Sequence, residues 1–174
     1  MGRCKEYGRH PGALPGVLWS GSCALNCDFA RYAARMTHKS GKVAERVAQF
    51  AGHRLDARYL GYFDCFNRQE FYEAHDVLED LWLLDRRGPD GDFFKGLIQL
   101  AGAFVHLQKG RLRPADALFQ LAERNLGRYP QVHWALDTTA TLGLITVWRR
   151  ALADAQFLQN PLSIRTAPHL PMPD

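Results

Sequence analysis

The sequence predicts an all-α protein, an up-and-down bundle of about four to six helices. After residue 41, apolar residues recur at spacings of three and four, which is the periodicity of helices with one buried face. Strict alternation of apolar and polar residues, the pattern of a half-buried strand, does not occur in this stretch of the sequence. With 174 residues, 47% of them hydrophobic, the chain is long enough to form one domain with a substantial core.

Six helices are predicted, and breakers or capping residues define several of their ends. Asp56 can cap the second helix, which ends at the turn formed by Asn67 and Arg68. Gly110 is the predicted stop of the fourth helix, and Pro114 fits the first turn of the fifth. The predicted helices cover residues 42–50, 56–66, 69–84, 92–109, 114–128 and 139–156.

The bundle is predicted to occupy residues 41–158 as a single domain. Residues 1–40 precede it as a basic N-terminal extension, and residues 159–174 follow it as a C-terminal tail. Because prolines or glycines interrupt both flanking segments, we expect them to be poorly ordered.

The fourth helix is expected to be the central helix of the bundle, because apolar residues cover most of its circumference. One polar strip interrupts them, since Lys95, Gln99, Gly102 and His106 lie within about 40° of one another at 100° per residue. A glycine in a helix interior costs roughly 1 kcal/mol against alanine, a cost that a closely packed neighbouring helix would explain. We therefore expect this strip to face the polar strip of the third helix.

The most informative motif lies in the third helix, where His75, Glu79 and Trp82 form an H-x-x-x-E-x-x-W sequence. Residues four apart are neighbours on a helix, with Cβ atoms about 6 Å apart, so the imidazole and the carboxylate can act on one target. Both lie inside the apolar stripe of the helix, whereas Asp76 lies on the predicted solvent face. A carboxylate that faces a core costs several kcal/mol unless it is paired, protonated or bound to a metal. Glu79 is therefore predicted to have a partner.

The motifs occur in an order that resembles the bacterial and archaeal domain-of-unknown-function family 309. The segments that carry this resemblance are residues 55–60, 66–67, 71–82, 94–101 and 106–110, and the similarity covers roughly residues 54–150. It implies a small up-and-down helical bundle whose H-x-x-x-E-x-x-[WY] signature has been suggested to bind metal, and it implies no established reaction. The signature positions are His75, Glu79 and Trp82, with Gln99 and His106 as further matching positions.

One interpretation of the motif is a divalent-metal site with His75, Glu79 and His106 as ligands. Two imidazoles and one carboxylate leave coordination positions open, as in catalytic zinc and non-haem iron sites, and zinc, manganese and iron are the candidate ions. Such a site would suit a metal-assisted hydrolase in which a bound water is the nucleophile. The positions expected to support the site or its motif are Tyr72, Asp76, Trp82 and Gln99.

The alternative interpretation is a buried hydrogen-bond network in a non-enzymatic binding or interaction module. In that network Glu79 would accept hydrogen bonds from His75, His106 or Gln99 and fix the register of the helices. Trp82 is predicted to anchor the core, with its indole N–H bonded to a nearby acceptor. The sequence identifies no catalytic residue beyond the cluster.

Composition and charge narrow the functional classes. The net charge is +4, but residues 55–85 carry two basic and eight acidic side chains, a net −6 that would attract a cation or one of the chain's own basic segments. No basic stripe with interleaved aromatic residues and no nucleic-acid motif is present, so no nucleic-acid partner is expected, and no apolar run is long enough for a membrane span.

The four cysteines fit neither a disulfide framework nor a paired zinc motif. We therefore expect reduced thiols in a cytoplasmic protein whose partner is a small ligand or none.

Overall fold

The architecture is a bundle of helices in a computed structural model that describes residues 41–163 and 165–174. The helices are α1 (Gly41–Ala48), α2 (Ala57–Asn67), α3 (Phe71–Trp82), α4 (Gly91–Gln108), α5 (Leu112–Leu126) and α6 (Thr138–Asp154). The predicted all-α fold is therefore confirmed, while the predicted N-terminal extension, residues 1–40, lies outside the described residues. Among the described helices, none combines the length and the apolar composition that crossing a membrane requires.

Local sequence explains where two of the helices begin. The Asp56 carboxylate accepts the N–H of Arg58 at 2.8 Å, which caps α2 as predicted. Helix α5 begins at Leu112, two residues before the predicted start at Pro114. A proline fits there because the N–H groups of a first helical turn have no acceptor within the helix.

Helix α4 is the central helix, as its apolar circumference predicts. It packs against both α3 and α5. The buried Phe104 ring lies at the middle of an aromatic core, with centroid distances of 4.9–5.4 Å to rings from α2, α3, α5 and α6. These four neighbours are Phe66, Phe71, Phe119 and Trp148. One side chain of α4 therefore joins four other helices.

Two glycines of α4 let α5 approach closely. A Cβ atom at Gly96 would lie 2.8 Å from Cγ of Leu126, which is too short for a non-bonded contact. A Cβ atom at Gly102 would lie 3.2 Å from Cδ1 of Leu118 and 3.9 Å from Cδ2 of His75. The tight neighbour of Gly102 is thus α5, rather than the predicted α3. The polar strip of α4 lies between α3 and α5.

Gly96→Ala is expected to lower the free energy of unfolding by about 1–3 kcal/mol, because the added methyl group overpacks the contact with α5. Gly143→Ala in α6 is the matched control, since, beyond its chain neighbours and the backbone of its own helix, no described atom lies within 4 Å of its Cβ position. That change should raise the free energy of unfolding by about 0.5–1 kcal/mol through helix propensity. Urea denaturation measures both, and changes of the same sign would contradict the close approach at Gly96.

A short hairpin that the sequence analysis missed precedes α6. Strands β1 (Val132–His133) and β2 (Leu136–Asp137) pair antiparallel. The turn residues Trp134 and Ala135 have φ values of 51° and 57°, a conformation for which such turns normally use asparagine or glycine. The Tyr59 hydroxyl donates to the carbonyl of Trp134 at 3.0 Å, and the two rings pack edge to face. Tertiary contacts therefore hold a turn that its own residues do not favour.

The C-terminal tail packs on the bundle, so the expectation of a poorly ordered tail was wrong. Leu170 is 2% exposed and belongs to the main core. Its backbone N–H donates to Oδ1 of Asn67, and its carbonyl accepts from Nδ2 of Asn67, both at 2.8 Å. Nearer the end of α6, Nδ2 of Asn160 donates to the carbonyl of Leu107 at 2.7 Å. These partners are distant in sequence, so local composition did not indicate them.

Candidate metal site

Three potential metal ligands lie together on α3. His75, Asp76 and Glu79 each offer one ligand atom, and these atoms all lie within 4.8 Å of one another. The helix itself produces the grouping, since Glu79 projects between His75 and Asp76 at 100° per residue. One imidazole nitrogen and two carboxylate oxygens are donor types that divalent ions use in proteins. The residues present therefore fit a single divalent ion.

Asp76 is more buried than the sequence analysis predicted. Its side chain is 14% exposed, against 33% for His75, and Oδ1 of Asp76 lies 3.3 Å from Nδ1 of His75. The helical projection placed Asp76 on the solvent face, but α3 also packs against α1 and α2, and its Val77 lies in a cluster with Val47 of α1. The spacing of three residues to Glu79 is the sequence signal that could have identified Asp76 as a candidate ligand.

The Glu79 carboxylate is half-buried rather than enclosed in the core. Within the described part of the chain it has no hydrogen-bond or ion-pair partner. Gln99, one of its predicted donors, instead accepts a hydrogen bond from Nδ2 of Asn125 through Oε1 at 2.8 Å. The predicted network around Glu79 is therefore not formed. Its partial exposure gives the physical reason, because water can solvate the charge that a closed core would have to pair.

His106, the third predicted ligand, is not a member of this group. His75 packs beside Gly102, and His106 lies four residues further along α4, a distance of about 6 Å at 1.5 Å per residue. Nδ1 of His106 is buried and has no hydrogen-bond partner among the described residues. Burial, with the positive charges of Arg111 and Lys109, lowers the pKa of His106 and favours its neutral form.

Two other motif residues differ in burial. Trp82 packs against the core as predicted. Its indole N–H, however, is buried and reaches no acceptor in residues 41–163 or 165–174, so the predicted hydrogen bond is not formed there. Tyr72 is 59% exposed, which places its ring at the surface of α3.

Comparison with known proteins identifies the part of the chain that carries these residues. Residues 59–118 match the family model described as Domain of unknown function (DUF309). This segment is a DUF309 domain. The DUF309 domain runs from α2 into α5 and contains the three clustered side chains together with Gln99 and His106, so the predicted family is confirmed over a shorter range than residues 54–150. The chain has no match among curated proteins or solved structures.

Proposed function

We propose that the DUF309 domain binds one divalent cation through His75, Asp76 and Glu79. The observation that carries this proposal is the convergence of one imidazole nitrogen and two carboxylate oxygens within 4.8 Å. The His75 side chain is partly exposed, and so is Glu79. An ion can therefore reach the ligand atoms from solvent without a change of fold.

The charge of this part of the chain supports a cation. Residues 55–85 carry eight acidic and two basic side chains, and although Glu70 just before α3 pairs with Arg46, α3 itself carries four acidic side chains and neither lysine nor arginine, a balance that attracts a cation. The Glu79 carboxylate has no ion-pair partner among the described side chains, so a cation would not displace a basic group from it. The two carboxylates of the cluster match the double charge of the ion.

The donor set favours harder ions than the sequence analysis suggested. Two imidazoles and one carboxylate suit zinc and iron, whereas Asp76 in place of His106 makes two of the three donors carboxylate oxygens. Carboxylate oxygens suit manganese, and the single imidazole keeps the site compatible with iron and zinc. Manganese is therefore the ion that we choose to test the site, and zinc is expected to bind the same nitrogen and oxygen ligands more tightly than manganese does.

Metal-assisted hydrolysis is the activity that such a site would suit. Three protein ligands leave positions on the ion for water and substrate, and a bound divalent ion supplies Lewis acidity. The geometry of the three side chains supports cation binding, and hydrolysis stays a prediction.

Removal of one ligand charge tests the site. Manganese at about 100 times its dissociation constant should raise the free energy of unfolding of the wild-type chain by about 2.7 kcal/mol. Glu79→Gln keeps the size of the side chain but removes the charge that holds the ion, so most of this gain should disappear. Chemical denaturation of the full chain with and without manganese measures the effect.

Glu73→Gln is the matched control for this experiment. Glu73 lies on the same helix and loses the same charge, but it is not a member of the ligand group. Its variant should therefore keep the manganese-induced gain. A wild-type chain that manganese does not stabilise, or an equal gain in Glu79→Gln, would refute the site.

A further inference from the structure

The end of α2 holds part of the C-terminal tail by its backbone. Asn67, the last residue of α2, uses the two polar atoms of its amide to bond the N–H and the C=O of Leu170, each at 2.8 Å. One side chain thus makes the pair of hydrogen bonds that a neighbouring strand would make. We call the Asn67 amide and the apolar site that receives the Leu170 side chain the tail groove. Because the hydrogen bonds involve only backbone atoms of the tail, they recognise an extended peptide rather than a particular side chain.

Alternate side chains of the tail face the tail groove, and these positions determine which side chains the groove accepts. From residue 168 to residue 171, Pro168 and Leu170 are buried, whereas His169 and Pro171 are exposed; beyond this stretch Pro173 is buried out of the alternation. Burial with a period of two is typical of an extended segment with one face against a protein surface. The groove therefore selects apolar side chains two residues apart and leaves the position between them unrestricted.

We propose that the tail groove is a peptide-docking site, which the tail occupies at rest and which an extended partner segment of the form Pro-x-Leu occupies after displacing the tail. The chemistry of this partner follows from the native occupant, residues 168–170. The proline restricts the conformations of such a segment before it binds, which reduces the entropy lost on docking.

The end of the tail can leave the groove while the segment before it stays on the bundle. Phe157 and Leu162 pack against the core, and Nδ2 of Asn160 donates to the carbonyl of Leu107. Between these contacts and the groove, residues 165 and 166 are exposed and residue 167 is only partly buried, so the part of the chain next to the groove has few contacts with the bundle. The site itself would persist, because Asn67 lies on α2 beside the buried core residue Phe66. A tethered tail competes at an effective concentration in roughly the millimolar range, which a partner segment must overcome.

A labelled peptide of residues 165–174, added to full-length variants, tests this site by fluorescence anisotropy. Leu170→Ser weakens the hold of the chain's own tail, so the peptide should bind that variant at least about tenfold more tightly than it binds the wild-type chain. His169→Ser changes an exposed neighbour and should leave binding as weak as in the wild type. A peptide that itself carries Leu170→Ser should bind neither chain.

Combination of Leu170→Ser with Asn67→Ala should abolish peptide binding while the helical circular dichroism persists. A folded Leu170→Ser chain that does not bind the peptide would overturn the proposal. If Leu170→Ser unfolds the chain, the proposal is tested instead by hydrogen exchange of the wild-type chain with and without the peptide. Saturating peptide should accelerate exchange of the Leu170 amide, whose acceptor is Asn67, and an unchanged rate would reject the docking site.

Discussion

Phe104→Ala is expected to lower the free energy of unfolding by about 3–5 kcal/mol. The ring is fully buried and contacts aromatic side chains of four other helices. Its removal leaves a cavity that neighbours in a close-packed interior fill only in part. Chemical denaturation measures the loss, provided that the transition is two-state.

Val147→Ala is the surface control for this prediction. Val147 lies on α6 and is 66% exposed, so its truncation should change the free energy of unfolding by no more than about 0.5 kcal/mol. If the loss in Phe104→Ala were no larger than the loss in Val147→Ala, α4 would not be the central helix of the core.

His75→Ala is expected to weaken manganese binding by about 100-fold or more, since loss of residues that merely support metal ligands already costs about 10–100-fold. The metal-free protein should lose less than about 1 kcal/mol of unfolding free energy. The imidazole is one-third exposed, and its hydrogen bond to Asp76 is a long 3.3 Å. Denaturation of wild type and variant, each with and without manganese, separates the two effects.

A buried His75–Glu79 network would give the opposite result. In the absence of metal, a buried Glu79 carboxylate left without its partner would lower the free energy of unfolding by about 3 kcal/mol or more. Manganese would then have little effect on the wild-type chain or on His75→Ala. His169→Ala removes an exposed histidine of the tail and should retain both stability and manganese binding. A large metal-free loss in His75→Ala, with unchanged manganese binding, would therefore favour the structural interpretation.

The helices could be predicted because their signals are local. Periodicity of 3.6 residues identified the apolar faces, and Asp56 carries its own capping signal. The central position of α4 followed in the same way, since a helix that is apolar on most sides must be surrounded. The pairing of His75 with Glu79 needed only the geometry of one helix.

The features that could not be predicted depend on contacts between distant residues. Asn67 and Leu170 are 103 positions apart, and the turn at Trp134 is held by Tyr59 from another helix. Asp76 was assigned to solvent because a helical projection does not show how many helices surround α3. His106 was assigned to the cluster because the same projection gives the angle of a residue around α4 but not its height along the axis.

The binding of one divalent ion by His75, Asp76 and Glu79 is tested most directly by the metal content of the full chain. Protein stripped with chelator is dialysed to equilibrium against manganese and analysed for bound metal. The wild-type chain should hold about one ion that Glu79→Gln does not hold, because the ligand charge is part of the binding free energy. Folded wild-type protein with almost no bound manganese, or the same content in Glu79→Gln, would contradict this site.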